Sequence, residues 1–394
     1  MSEQVASELV VDEPSATASR GPRVLLLCET LALTGGVERF VCQLGNELAE
    51  LGMQVAVGSA DEGDCPAAFP LRDGVRLLHG GAERGQRRTS GGPRAWRLLR
   101  RQWRVGRALG RLVEAEQADV VVLNGLVAAC VTLALHPRVA ARTICCDHNH
   151  FMARSRVWRT LRQWLYPKVA AVVSLTRADA PLFAALNPNT QVIVNASTLS
   201  AEAPSDAPGL GVLAVGRHQL QKGFDLLLAA WADVIAACPE ARLVIVGQGP
   251  LHDELAALAV QLGVSNSVTF RPPTDRIGTL YREAALFVLS SRYEGMPLSL
   301  LEAQAMGVPS VAFDCPTGPR DILGGDGQAG LLVPAEDSGE LARAIVALLL
   351  DPARRARMGR AAIARSRAMF GRADQIEAWA ALIGRVAGAH AHSS

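Results

Sequence analysis

The chain has 394 residues, 49% of them hydrophobic, enough to bury the cores of two or three domains. Its 40 Lys and Arg nearly cancel its 38 Asp and Glu, so the net charge of +2 by itself points to no polyanionic partner. The eight cysteines are scattered, with no CxxC pair and no His at zinc spacing; they read as reduced core thiols of a cytosolic protein.

Residues 1–20 are polar and acidic, without a basic n-region or an apolar h-region, so they read as a disordered leader and not as a signal peptide. No apolar run reaches the ~18 residues of a membrane span, and the protein is expected to stay inside the cell without crossing the bilayer. Residues 21–196 then alternate β-branched runs with amphipathic stretches, the βα pattern of a parallel sheet covered on both faces. Strands are predicted at Val24–Cys28, Gln54–Val57, Val75–Leu78, Val120–Leu123, Thr143–Cys146, Ala171–Ser174 and Gln191–Val194. Residues 197–210, rich in Ser, Ala, Pro and Gly, read as a linker. The alternation restarts over 211–370, with strands predicted at Val212–Val215, Leu243–Val246, Ser267–Phe270, Leu286–Leu289 and Ser310–Phe313. From Gly339 onward the text is helical, and 371–394 form a last helix and tail. Two doubly wound, Rossmann-like α/β domains would face each other across a cleft at their strand carboxyl ends, where such sheets bind ligands.

The most specific string is Ser290-Ser-Arg-Tyr-Glu-Gly-Met-Pro-Leu-Ser-Leu-Leu-Glu-Ala-Gln-Ala-Met-Gly-Val-Pro309. It follows a strand, turns at Gly295, passes Met296 and opens a helix near Pro297, so the N–H groups of Leu298 and Ser299 would face the cleft as a phosphate site. Glu294 and Glu302, eight residues apart, can line one ligand at two depths and accept hydrogen bonds from vicinal hydroxyls. The second string, Val215-Gly-Arg-His-Gln-Leu-Gln-Lys-Gly-Phe224, leads into a helix predicted over Phe224–Ala237, and its Arg217 and Lys222 can converge on one diphosphate. Gly35 and Gly36, before a helix that starts near Val37, allow close approach of backbone to a ligand. In Cys146-Asp-His-Asn-His150, at another strand end, His148 is the candidate to face substrate ahead of His150, with Asp147 and Asn149 behind them. Gly247-Gln-Gly249 lacks the third glycine of a dinucleotide fingerprint and reads as a tight turn. No metal site is visible, and none is expected.

The string from Ser290 resembles the E-x7-E motif of retaining glycosyltransferases of the GT-B fold, family 4, and Phe313-Asp-Cys-Pro-Thr-Gly-Pro-Arg-Asp-Ile-Leu323 looks like its members that build bacterial surface polysaccharides. The resemblance runs from about Arg23 to about Ala387. It implies that Glu294 binds donor-sugar hydroxyls, Glu302 the ribose, and Arg217 with Lys222 the diphosphate. It also implies that the Gly35–Gly36 loop borders diphosphate and acceptor, and that His148 lies near the transferred sugar. Phe270-Arg-Pro-Pro-Thr274 departs from the family, which commonly has a glycine there, so the base is not legible. The implied reaction is retaining transfer of a hexose from a nucleoside-diphosphate sugar, UDP-linked in preference to GDP-linked, to a lipid-linked or oligosaccharide acceptor. A GDP-mannose-dependent mannosyltransferase is the first alternative. A nucleotide-sugar epimerase or a catalytically silent membrane-associated partner is the second.

Arg84–Arg111 holds ten arginines and no acid, with Trp96 and Trp103 interleaved; Arg154–Lys168 adds four arginines and a lysine, with Trp158 and Trp164. An ordinary helix packed on the sheet and an interfacial helix on anionic lipid are compatible readings, one for each face. The membrane-surface candidates are Trp96, Arg97, Arg100, Arg101, Trp103 and Arg104, and the location expected is peripheral, on the inner face of the cytoplasmic membrane. No recognition module accompanies the charge, so nucleic acid is not an expected partner.

Overall fold

β1 (Arg23–Cys28) is buried at every position after Arg23, as befits a central parallel strand covered by helices on both faces. It belongs to a computed structural model that describes residues 21–63, 65–82, 94–205 and 209–391, side chains 94–99 and 391 excepted. The predicted leader, and the side chains of Trp96 and Arg97, lie outside the described residues. After β1 come α1 (Gly36–Glu50), β2 (Gln54–Ser59), β3 (Arg76–His79), α2 (Arg94–Glu116), β4 (Val120–Asn124), α3 (Leu126–Leu135) and β5 (Thr143–Cys146). α4 (Arg156–Leu165), β6 (Ala171–Ser174), α5 (Ala180–Ala184) and β7 (Thr190–Val192) complete a seven-stranded parallel sheet of order β3-β2-β1-β4-β5-β6-β7.

The second half repeats the plan. β8 (Gly211–Val215), α6 (Phe224–Ala237), β9 (Arg242–Val246), α7 (His252–Gln261), β10 (Val268–Arg271), α8 (Ile277–Glu283) and β11 (Leu286–Leu289) are followed by α9 (Leu298–Ala305), β12 (Ser310–Phe313), α10 (Pro319–Leu323) and β13 (Leu331–Val333). These strands form a six-stranded parallel sheet of order β10-β9-β8-β11-β12-β13. Its order reverses between β8 and β11, as the first reverses between β1 and β4, and ligand crevices open at such points. β13 was not anticipated, because three residues at a sheet edge, with Pro334 directly after them, carry too little periodicity to read.

α11 (Ser338–Leu349), α12 (Pro352–Met369) and α13 (Arg372–Ala391) close the chain. α13 crosses back and packs on α1 and β4 of the first sheet. It buries Trp379, Leu382, Ile383 and Val386 there, the Trp379 ring 5.9 Å from that of Phe40, and Arg372 ion-pairs with Glu47. One apolar cluster therefore joins the domains, running from Val24 and Phe40 through Met296 and Leu300 to Trp379. Seven of the eight cysteines are buried and all are free. Among the described residues no helix is long and apolar enough to cross a membrane.

Candidate active site

The loops that leave β8 and β11, either side of the crevice in the second sheet, are stitched together. Gly223 adopts φ 61°, and a Cβ there would strike the Ser290 carbonyl, so only glycine lets the loops touch. Ser290 Oγ donates to the Lys222 carbonyl at 2.9 Å, the Arg292 N–H to the Gln221 carbonyl at 2.8 Å, and Gln221 Nε2 to the Tyr293 carbonyl at 3.0 Å. The Lys222 stem lies over the bare Cα of Gly216. Its ammonium meets Glu294 Oε1 at 2.7 Å, and Ser291 Oγ donates to the same oxygen at 2.6 Å.

Lys222 was expected to share a diphosphate with Arg217, but in the structure its nearest charge is Glu294. Both side chains are largely enclosed, and an unpaired carboxylate there is expensive, so the ammonium takes the nearest anion. The Arg217 carbonyl accepts from the Gln219 N–H at 2.7 Å, while its guanidinium makes no hydrogen bond with a described residue. Its field reaches the buried Glu38 of α1 in the other domain, partly opposing the rise in acid pKa that burial gives that carboxyl. The Arg217 loop rests on the turn Gly247-Gln-Gly249, where a Cβ at either glycine would hit the carbonyl of Gly216 or His218. His218, fully buried between Phe224 and Phe270, stacks on His252 at 5.2 Å, and burial lowers its pKa.

Pro297 caps α9, and the N–H groups of Leu298 and Ser299 have no hydrogen-bond partner among the described residues, as in the first turn of any helix. Glu302, a turn further in, is buried. Tyr281 OH donates to its Oε2 at 3.0 Å, and Arg39 from α1 ion-pairs with its Oε1. Burial raises the Glu302 pKa, and Arg39 and Tyr281 oppose the rise. Neither partner stood out in the sequence. A signal was there: Arg39 sits in the first turn of α1, where a cation opposes the helix dipole unless a carboxylate answers it.

The first domain closes on these loops. The His150 N–H donates to the Glu294 carbonyl at 3.1 Å, and a Cβ on Gly295 would run into the His148 carbonyl. Asn195 Nδ2 reaches the Met296 carbonyl at 3.5 Å, and the Cβ position of Gly36 lies 3.8 Å from Leu298 Cδ1. Gly35 differs from expectation, because the Glu38 carboxylate of the same helix folds over its open face. The His148 ring packs edge-on against Phe40 at 4.8 Å, and its Nε2 lies 3.0 Å from Asn124 Oδ1. Asn124 Nδ2 donates to the carbonyls of Leu27 and Val122, so Oδ1 is the acceptor, Nε2 carries the proton, and Nδ1 is left as an acceptor. Burial brings the His148 pKa down to about 4, which keeps the ring neutral near pH 7. His150 instead packs on Tyr293 at 5.6 Å. Asp147 is removed as a candidate: it is buried and held by Tyr166 OH at 2.6 Å and Arg162 at 3.2 Å, a structural network.

Residues 34–196 match the family model described as Glycosyltransferase Family 4, and residues 209–351 the one described as Glycosyl transferases group 1. The chain belongs to this glycosyltransferase family. The amylovoran biosynthesis glycosyltransferase AmsD of Erwinia amylovora is 28% identical over 317 residues, covering 77% of this chain and 84% of AmsD. Sucrose-phosphate synthase of Thermosynechococcus elongatus superposes with a TM-score of 0.80 at 21% identity, over 93% of this chain and all of that one. Anabaena HepE, solved with UDP and glucose, gives 0.71 at 20% identity, over 92% of this chain and 99% of HepE. The two-sheet architecture of the glycosyltransferase is thus the GT-B fold.

On the glycosyltransferase's outer surface, α2 buries Val105, Ala108, Leu109 and Val113 against the sheet and turns Arg100, Trp103, Arg104 and Arg107 outward. Trp103 is 49% exposed, with the Arg107 guanidinium over its ring at 4.7 Å. Arg101 is exposed but committed, at 2.6 Å from Glu29. On α4, Trp164 and Val157 are exposed, but Arg162 is not part of any basic face: it is buried against Asp147, with its guanidinium 3.5 Å from the centre of the Phe151 ring.

Proposed function

We propose that this glycosyltransferase is a retaining hexosyltransferase, moving a sugar from a UDP-sugar to a lipid-linked or oligosaccharide acceptor in surface polysaccharide biosynthesis. The observation that carries the reading is the pair of buried carboxylates at one cleft, Glu294 held by Lys222 and Glu302 held by Arg39 and Tyr281. Glu294, by the loop facing His148, takes the sugar hydroxyls; Glu302, deeper on α9, takes the ribose; the α9 N-terminus and Arg217 take the diphosphate. Arg217 and the helix N–H groups serve in place of a metal, and the His148 Nδ1 accepts a hydrogen bond from a hydroxyl of the transferred sugar. In the reaction the C1–O bond to the diphosphate breaks and the acceptor oxygen bonds C1 from the same face. The acceptor's proton passes to the leaving phosphate oxygen. The name of AmsD supports a polysaccharide product, and the UDP and glucose bound by HepE support a UDP-sugar.

The exposed face of α2, with Arg100, Trp103, Arg104 and Arg107, supports docking on the anionic inner surface of the cytoplasmic membrane, which would present a lipid-linked acceptor to the first domain. Each basic residue near such a surface contributes about 1 kcal/mol. Changing Arg100, Arg104 and Arg107 to Glu should release the protein from anionic vesicles at low salt; continued co-sedimentation leaves the face a solvated surface.

A panel of radiolabelled nucleotide sugars, assayed with lipid-linked acceptors and followed by NMR of the product anomer, tests the reaction. UDP-sugar turnover with retained configuration is expected. Preference for GDP-mannose would make the enzyme a mannosyltransferase. Isomerised donor without acceptor would make it an epimerase. Vesicle binding without any turnover would make it a silent partner.

A further inference from the structure

The Glu302 carboxylate is completed by a residue from the opposite domain, and this bears on how a nucleotide is held. We propose that Arg39 is a positioning residue of the nucleotide site, supplied across the cleft by α1, that presents Glu302 to the vicinal hydroxyls of a ribose. The inference rests on the reading of Glu302 as the ribose carboxylate.

The geometry supports it on three counts. Arg39 takes Oε1 and Tyr281 takes Oε2, so the carboxylate plane is fixed from two sides while each oxygen keeps a second lone pair for a hydroxyl. Arg39 is itself held: its Nη2 lies 3.4 Å from Thr198 Oγ1, and Gln43 Nε2 reaches the same hydroxyl at 3.4 Å. Its guanidinium carbon sits 6.0 Å from the centre of the Phe69 ring. Finally, Tyr281 is fully buried, and its single hydroxyl proton is shared between Glu302 Oε2 and the Ser299 carbonyl, each 3.0 Å away, tying the carboxylate to the first turn of α9. Without Arg39, Oε1 would turn freely, and the two oxygens would no longer match two neighbouring hydroxyls. A further consequence is that the ribose site is whole only while the domains are docked, so nucleotide binding and cleft closure favour each other.

Calorimetry with UDP and with 2′-deoxy-UDP, on the full chain, tests this. The wild type should prefer UDP by about ten- to hundredfold, as expected for losing a hydrogen bond to a charged group. Arg39→Ala and Arg39→Gln should bind UDP more weakly and lose most of that preference, while Arg39→Lys should recover part of it. The glutamine variant keeps most of the aliphatic stem while removing the charge, so it guards against a folding defect in the alanine variant. A merely structural role would weaken both ligands equally and leave the preference intact, which would overturn the proposal. If the wild type itself bound the two ligands equally, the failure would lie with the ribose reading of Glu302.

Discussion

Acidification gives a test of the His148 environment. The unfolded chain titrates this imidazole near the ordinary 6.5, whereas burial against Phe40 holds it down to about 4 in the folded protein. A lowered folded value means that the unfolded state binds the proton first, so the contribution is fully present above pH 6.5 and is lost as pH falls toward 4. At pH 5 the loss is about 2 kcal/mol, from ~1.4 kcal/mol per pH unit over the interval, rising to about 3 by pH 4. Other groups respond in the same range. His218 has a lowered pKa, while Asp147 and Glu302 have raised values and act in the opposite sense. All are shared with His148→Gln, so the difference between the proteins isolates His148. Urea unfolding of both at pH 7.5 and pH 5 should show the wild type losing about 2 kcal/mol more than the variant on acidification. A gap that stays constant between the two pH values refutes the partly buried, neutral imidazole. The same pKa places any acid limb of the rate profile above pH 5 on a group other than His148.

Arg217→Ala should lower kcat by on the order of 100-fold, as for one charge-stabilising donor, and Lys222→Ala should lower it too, by leaving the Glu294 carboxylate without its cation; activity should persist in EDTA, and a strict Mg²⁺ requirement would contradict the cation-based mechanism. Gly295→Ala puts a methyl into the His148 carbonyl, which backbone on both sides cannot yield cheaply. Its kcat/KM should fall by about tenfold or more, with the melting temperature little changed, if the clash opens the cleft and not the fold. Trp379→Ala, removing a fully buried ring where α13 meets Phe40, should lower the unfolding free energy by about 3–5 kcal/mol in urea titrations.

Much of this protein is legible in its residues because the signals are local. β-Branched runs separated by helical stretches announce two parallel sheets, and helix α6 begins and ends where its pattern does. Gly223 and Pro297 mark where loops become helices, and the carboxylates at 294 and 302 are placed by the turn and helix between them. The family resemblance is carried by those same contiguous strings. What only the tertiary structure decided is which charges meet. Lys222 and Glu294 lie 72 residues apart and touch because β8 and β11 are neighbours across the crevice, an adjacency set by sheet order. Arg39 finds Glu302 only when the domains dock, and Arg162, indistinguishable in the sequence from the exposed arginines around it, is buried because Asp147 lies beneath it. α13 illustrates the same point, since its apolar face could have covered either sheet, and the path of α12 delivers it to the first. Periodicity specifies that a face will be buried, whereas the partner that buries it is fixed by contacts distant in the chain.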